Sequence, residues 1–172
     1  GAKSNIMDHQ VHSRHQIGTR WDPKYEIRVH SCFWYSLQND QEGMTYILMD
    51  KIPSFPALSD ALSLKKYRLT LKLLSASARE VMACVDEKTG NTLLVTVADI
   101  EKTSSNSEWL KLLSEKLVVK GIDVTLKNKQ GRNALHCAAI RGHHNLCVLY
   151  CDRFKLPASE PEGGGLTPMI LH

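Results

Sequence analysis

Residues 129–151 read KQGRNALHCAAIRGHHNLCVLYC, and this stretch decides how the chain folds. Gly131 closes a turn and can take a left-handed backbone conformation without a side-chain penalty. Asn133-Ala134-Leu135-His136 then opens a short helix. Ala138 and Ala139 are small enough to let two helices approach closely, and Gly142 ends the helix so that the chain can reverse. Leu146 and Leu149 lie three apart and Leu146 and Tyr150 four apart, so they share one face of a second helix. The unit is a helical hairpin whose apolar face cannot be buried alone, so it implies stacked neighbours.

That order of residues resembles the ankyrin repeat, whose pattern is G-x-T-P-L-H-x-A-A-x-x-G-H followed by an apolar helix. Gly131, Leu135, His136, Ala138, Ala139, Gly142 and His143 fill the pattern's places. The resemblance implies a mainly α, ankyrin-repeat helical solenoid. It also implies that His136 and His143 hydrogen-bond backbone and turn groups to hold the hairpin, and that finger tips and helix turns line the surface used for partners.

Towards the C-terminus, residues 129–162 complete this repeat and residues 163–172 begin a partial one, with Gly165, Thr167 and Pro168 in the marker places. Gly131 and Gly165 lie 34 residues apart (165 − 131), close to the ~33 of the family. Residues 154–164 depart from the pattern: Phe154 stands where a helix-ending glycine is expected, and Pro157, Pro161 and the glycines at 163–165 read as an irregular, mobile loop. The chain stops inside the first helix of the partial unit, so either the natural protein is expected to continue or another surface to cover that end.

Towards the N-terminus, residues 87–128 form the preceding repeat, marked by Gly90, Thr92 and Ala98, with Val95 in the first histidine place and Val97 for the first alanine. Gly90 and Gly131 lie 41 residues apart (131 − 90), which places about eight extra residues between this unit's helices. Ser105 and Glu108 have the S-x-x-E spacing of a capping box that would start the second helix, whose apolar face is Trp109, Leu110, Leu112, Leu113 and Leu117. Residues 53–86 read as a divergent hairpin, with Pro56 in the first turn of one helix and Leu69, Leu71, Leu73 and Leu74 in another.

Residues 25–52 form an atypical N-terminal cap. Two stretches rich in aromatic and β-branched residues, 25–35 and 44–49, flank a turn-rich connector, so a β-hairpin is the simplest reading. A degenerate repeat opening at Gly43 is the competing one. Trp21, Trp34 and Tyr35 would cover the open end of the stack. Residues 1–24 are polar and read as a mobile arm; His9, His12 and His15 there would need further ligands and a rigid frame to hold a metal.

The chain has 172 residues, 42% apolar, with net charge +4. No window approaches the ~18 uninterrupted apolar residues of a spanning helix, so no membrane partner is expected. No secretory signal is visible. The cysteines number five, an odd count, which suggests reduced thiols and a cytoplasmic or nuclear location.

No catalytic set, phosphate loop, dinucleotide motif or metal-ligand spacing stands out, so no catalytic residues, metal or cofactors are expected. His143, Cys147 and Cys151 run down one helix at i, i+4, i+8, but a zinc site would need a further ligand from a second element. The exposed candidates for partner binding are Lys127, Lys129, Gln130 and Arg132 at a basic finger tip, with Arg141 and His144 at a helix turn. The reading is a non-enzymatic protein–protein interaction module, an adaptor or scaffold. Its partner would be a protein with an acidic surface, and the resemblance extends to IκB-like regulators that hold a transcription factor. Two other classes stand beside it. One is nucleic-acid binding by a basic N-terminal arm carrying Lys3, Arg14, Arg20, Lys24 and Arg28. The other is a targeting or accessory subunit that presents an attached domain.

Overall fold

A computed structural model describes residues 32–49, 51 and 54–171, and no strand forms among them. The described chain divides into two compact units, with the boundary between Lys66 and Tyr67. The N-terminal unit contains helical residues 32–38 (α1), α2 (Glu42–Met49) and α3 (Ser54–Ser63). The C-terminal unit contains α4 (Tyr67–Ala76), a 3-10 turn (Arg79–Ala83), α5 (Leu93–Asp99), α6 (Ser107–Val119), α7 (Ala134–Ile140), α8 (His144–Val148) and α9 (Pro168–Leu171).

The cap differs from the expected β-hairpin over its described part, where residues 32–38 and 42–49 are helical. Phe33 and Leu37 are buried four apart, a helical spacing. Ser36 Oγ donates to the Phe33 carbonyl and Thr45 Oγ1 to the Gln41 carbonyl, and the two hydroxyls meet at 2.9 Å. Aromatic and β-branched content favours strands only where a pleated surface exists to receive it, and here the helical contacts win. Residues 25–31 of the cap, Trp21, and the arm with Lys3, Arg14, Arg20, Lys24 and Arg28 lie outside the described residues. In α3, Ala57, Leu58, Ala61 and Leu62 are buried on one stripe, and Pro56 sits in the first turn as expected.

The C-terminal unit has two layers. Helices α5, α7 and α9 pack side by side as the inner layer, and α4, α6 and α8 as the outer one, with α5 paired to α6 and α7 to α8. Ala98, Ala138 and Ala139 are buried between the layers, which allows the close approach the sequence implied. Leu110, Leu113 and Leu117 of α6, Leu146 of α8, and Leu149 and Tyr150 just after α8 fill the core. The α8 helix widens into a π-helical turn, Leu149–Arg153, that stacks the Tyr150 and Phe154 rings at 5.5 Å. The tail of this helix needs a left-handed residue, and Lys155 (φ 60) supplies it.

The helix starts are specified locally. The Thr92 hydroxyl accepts from the Val95 N–H and the Asn133 amide oxygen from the His136 N–H, each at 3.2 Å. The capping box expected from Ser105 and Glu108 does not form. The α6 helix begins at Ser107, and Asn106 precedes it without a side-chain cap. The Asn106 side chain instead folds the inserted loop, accepting from Thr103 N–H at 3.0 Å and donating to the Glu101 carbonyl at 2.9 Å.

Candidate functional site

The fingers between α4 and α9 are built alike, the first with one residue more than the other two. Asp86, Asn128 and Glu162 each start a turn whose end returns a backbone hydrogen bond: Asp86 N–H to the Asn91 carbonyl, Asn128 N–H to Arg132, and Glu162 N–H to Leu166. Gly90, Gly131 and Gly165 take the left-handed corner of each turn, with φ of 73, 75 and 83°. Asp86 and Asn128 reinforce theirs with side chains. Asp86 Oδ1 accepts from the Thr89 hydroxyl and from backbone N–H groups, which holds its carboxyl below the usual carboxylate range. Asn128 Oδ1 accepts from Gln130 and Arg132 N–H groups, both at 3.0 Å.

Successive fingers are laced through their backbones. Lys129 N–H donates to the Thr89 carbonyl at 3.0 Å, and Gly163 N–H to the Gln130 carbonyl at 3.1 Å. The second contact needs glycine on both sides. A Cβ on Gly131 would lie 2.5 Å from Gly163 N, and one on Gly163 would lie 2.5 Å from the Gln130 oxygen. The stretch 163–165, expected as an irregular mobile loop, is therefore a finger in register with the other two.

The histidines tie elements together. His136 is fully buried, and its Nε2–H donates to the Glu160 carbonyl at 2.8 Å. Nδ1 lies 2.6 Å from Asn133 Oδ1 and faces the Asn133 N–H at 3.4 Å. Burial lowers the His136 pKa. The buried His143 donates from Nε2–H to the Ile100 carbonyl at 2.6 Å, tying the start of α8 to the end of α5.

The predicted basic tip is largely neutralised by acids from other elements. Lys127 Nζ lies 2.7 Å from Glu160 Oε1. Arg132 Nε pairs with the buried Glu162, which holds that carboxyl below its ordinary value, and Arg132 Nη1 donates to Gln130 Oε1 at 3.1 Å. Arg141 Nε pairs with Asp99 of α5 at 2.9 Å. Lys129 Nζ donates to the Glu87 carbonyl. His144 is exposed at the start of α8. The structure thus brings Lys127, Lys129, Gln130 and Arg132 together at the finger and places Arg141 with Asp99 at the helix turn. The acids were missed. Glu162 was legible, since it stands three before Gly165 as Asn128 does before Gly131. Asp99 and Glu160 had no such marker.

Cys137 and Cys147 are protonated packing groups. Burial pushes the Cys137 thiol up to about 12 and Cys147 up to about 11, far from the thiolate that metal binding or nucleophilic attack needs. Among the described residues, no group of three or more His, Cys, Asp or Glu could hold a metal, and no helix is long and apolar enough to cross a membrane.

No family model matches the chain, and no curated protein matches it. Among solved structures it is similar to the ankyrin repeat domain of Bcl-3, a member of the IkappaB protein family, with a TM-score of 0.56 and 19% sequence identity, over 98% of this chain and 72% of that one. At this identity the likeness shows the fold, and the fold is that of an ankyrin-repeat stack.

Proposed function

We propose that the chain is a protein–protein interaction module, an adaptor or scaffold without chemistry of its own. The observation that carries this reading is the row of laced fingers. Their backbones are fixed to one another, while Lys88, Thr89, Lys129, Gln130 and Gly164 at their tips face solvent. Such a surface presents side chains in a set spacing at little ordering cost, which is what a binding face requires. The groups that chemistry would use are committed elsewhere, with His136 and His143 on carbonyls and the buried thiols protonated. Within that class, regulation of a transcription factor in the cytoplasm or nucleus is the finer reading. It draws on the Bcl-3 likeness in fold.

Because Arg132, Arg141 and Lys127 are matched by acids, the finger recognises a partner by shape and hydrogen bonding more than by opposite charge. Pull-down with the parent chain and with the variant Lys129→Glu/Gln130→Ala tests this. A partner retained by the parent and lost by the variant is expected. If every recovered partner binds both equally, the finger surface is wrong.

A further inference from the structure

The positive charge that the finger cancels reappears on the outer helices. Helices α4 and α6 run parallel and adjacent. At their N-terminal ends the Tyr67 and Trp109 rings stack at 6.3 Å, and Asn106 Nδ2 donates to the Tyr67 hydroxyl at 3.4 Å. At their C-terminal ends Lys120 Nζ donates to the Ser75 and Ser77 carbonyls, at 3.2 and 2.7 Å. Thr70, Leu73 and Leu74 of α4 and Leu110, Leu113, Ser114 and Leu117 of α6 point into the core. The opposite sides therefore look outward together. They carry exposed Arg68 and Lys72 on α4, and Lys111, Leu112, Lys116 and Val119 on α6. Val119 is 75% exposed. Of the acids on α6, Glu115 is drawn away to Arg153, and Glu108 remains exposed at the N-terminal end.

We propose that this outward face of α4 and α6 is a second docking surface, one that takes an acidic segment bearing bulky apolar side chains from a partner protein. The proposal rests on the reading of the chain as a protein-binding module but uses a face other than the fingers. Cations surrounding solvent-exposed Leu112 and Val119 match a partner that alternates carboxylates with leucine-like groups. Carboxylates are steered by the basic residues, and apolar groups gain by covering the two exposed side chains. A phosphate backbone would use the cations alone and leave the apolar pair wet.

The test is binding of a short fluorescent peptide of glutamate and leucine to the full chain. An all-glutamate peptide and a single-stranded DNA of similar length are the comparisons. The glutamate–leucine peptide is expected to bind best, with affinity falling as salt rises. Lys111→Glu/Lys116→Glu is expected to weaken it about tenfold or more, and Val119→Ser several-fold, while Lys129→Glu at the finger leaves it unchanged. Thermal melting checks that each variant is folded, and Lys111→Gln/Lys116→Gln repeats the measurement without charge reversal. The proposal fails if the double variants bind as the parent does, or if the all-glutamate peptide or the DNA binds equally well. It also fails if only Lys129→Glu abolishes binding, an outcome that would leave the finger surface standing.

Discussion

Gly131 and Gly163 meet backbone to backbone: a Cβ on Gly131 would sit 2.8 Å from the Gly163 Cα and 2.5 Å from its nitrogen. The contact joins two fingers that belong to successive repeats. It makes these glycines unlike Gly165, which has the same left-handed backbone but open space around its missing side chain.

Gly165→Ala is therefore expected to cost about 1 kcal/mol, the penalty of the left-handed conformation alone. Gly131→Ala adds a steric clash with backbone and is expected to cost about 2–4 kcal/mol. Gly163→Ala drives its Cβ against the Gln130 oxygen at the same finger contact, so the double alanine variant is expected to lose less than the two single losses combined. Equilibrium urea unfolding of the four variants measures this. Equal costs at Gly131 and Gly165 would remove the finger contact from the account.

The Tyr150 hydroxyl lies 2.8 Å from Ser114 Oγ in the core between α6 and the π-helical turn after α8. Since Ser114 already donates to the Leu110 carbonyl, the tyrosine is the donor of the pair. Ser114→Ala strands a buried phenol and is expected to cost about 1–3 kcal/mol. Tyr150→Phe leaves a serine still bonded to its own helix and should cost about 0.5–1.5 kcal/mol. The order of the two losses in denaturant titrations is the observable.

Lys155 ends its helix at φ 60 and Lys65 ends α3 at φ 57, both exposed. Glycine at either place relieves the left-handed strain. Lys155→Gly is expected to raise stability by about 0.5–1 kcal/mol, seen as a higher melting temperature. A lower melting temperature would mean that the lysine side chain contributes more than its backbone costs.

Burial, the largest cause, depresses the His136 pKa below its ordinary 6.5, while the hydrogen bond to the Glu160 carbonyl opposes it. The unfolded chain then binds the proton more readily than the folded one. The stabilisation is complete above the unfolded pKa and is lost as pH falls from 6.5 towards the folded value. The depressed carboxyls of Glu162 and Asp86 add losses only at lower pH, as it falls from the ordinary carboxylate range. His136→Gln is expected to be less stable near neutrality and to lose the first of these two declines. Unfolding free energies across that range, for parent and variant, decide it.

Thiol labelling reads the same core from another side. Cys84 is exposed and Cys137 buried with its thiol pushed up to about 12. Cys84 is expected to react with a thiol reagent in the native protein, and Cys137 only when the protein unfolds. Native labelling at Cys137 as fast as at Cys84 would contradict the packing of α7.

Local signals made the stack readable before any coordinates. The turn glycines at 90, 131 and 165, the caps Thr92 and Asn133, and the alanines that admit a close helix each act within a few residues, so their chemistry is visible in sequence. The Ser105–Glu108 spacing misled because the same local pattern can be met by a loop, which Asn106 folds here. The aromatic cap misled because β-rich composition is answered by its surroundings rather than by itself.

What the sequence alone determined was the module and its approximate period. What only the tertiary structure decided was the state of its charges. Arg132 with Glu162 and Arg141 with Asp99 are matched across 30 and 42 residues. Whether a basic residue faces a partner or a carboxylate depends on which repeat lies beside it. Ion pairing acts through space, and the stacking of repeats sets that space, so the finger turned out neutralised while α4 and α6 keep exposed cations.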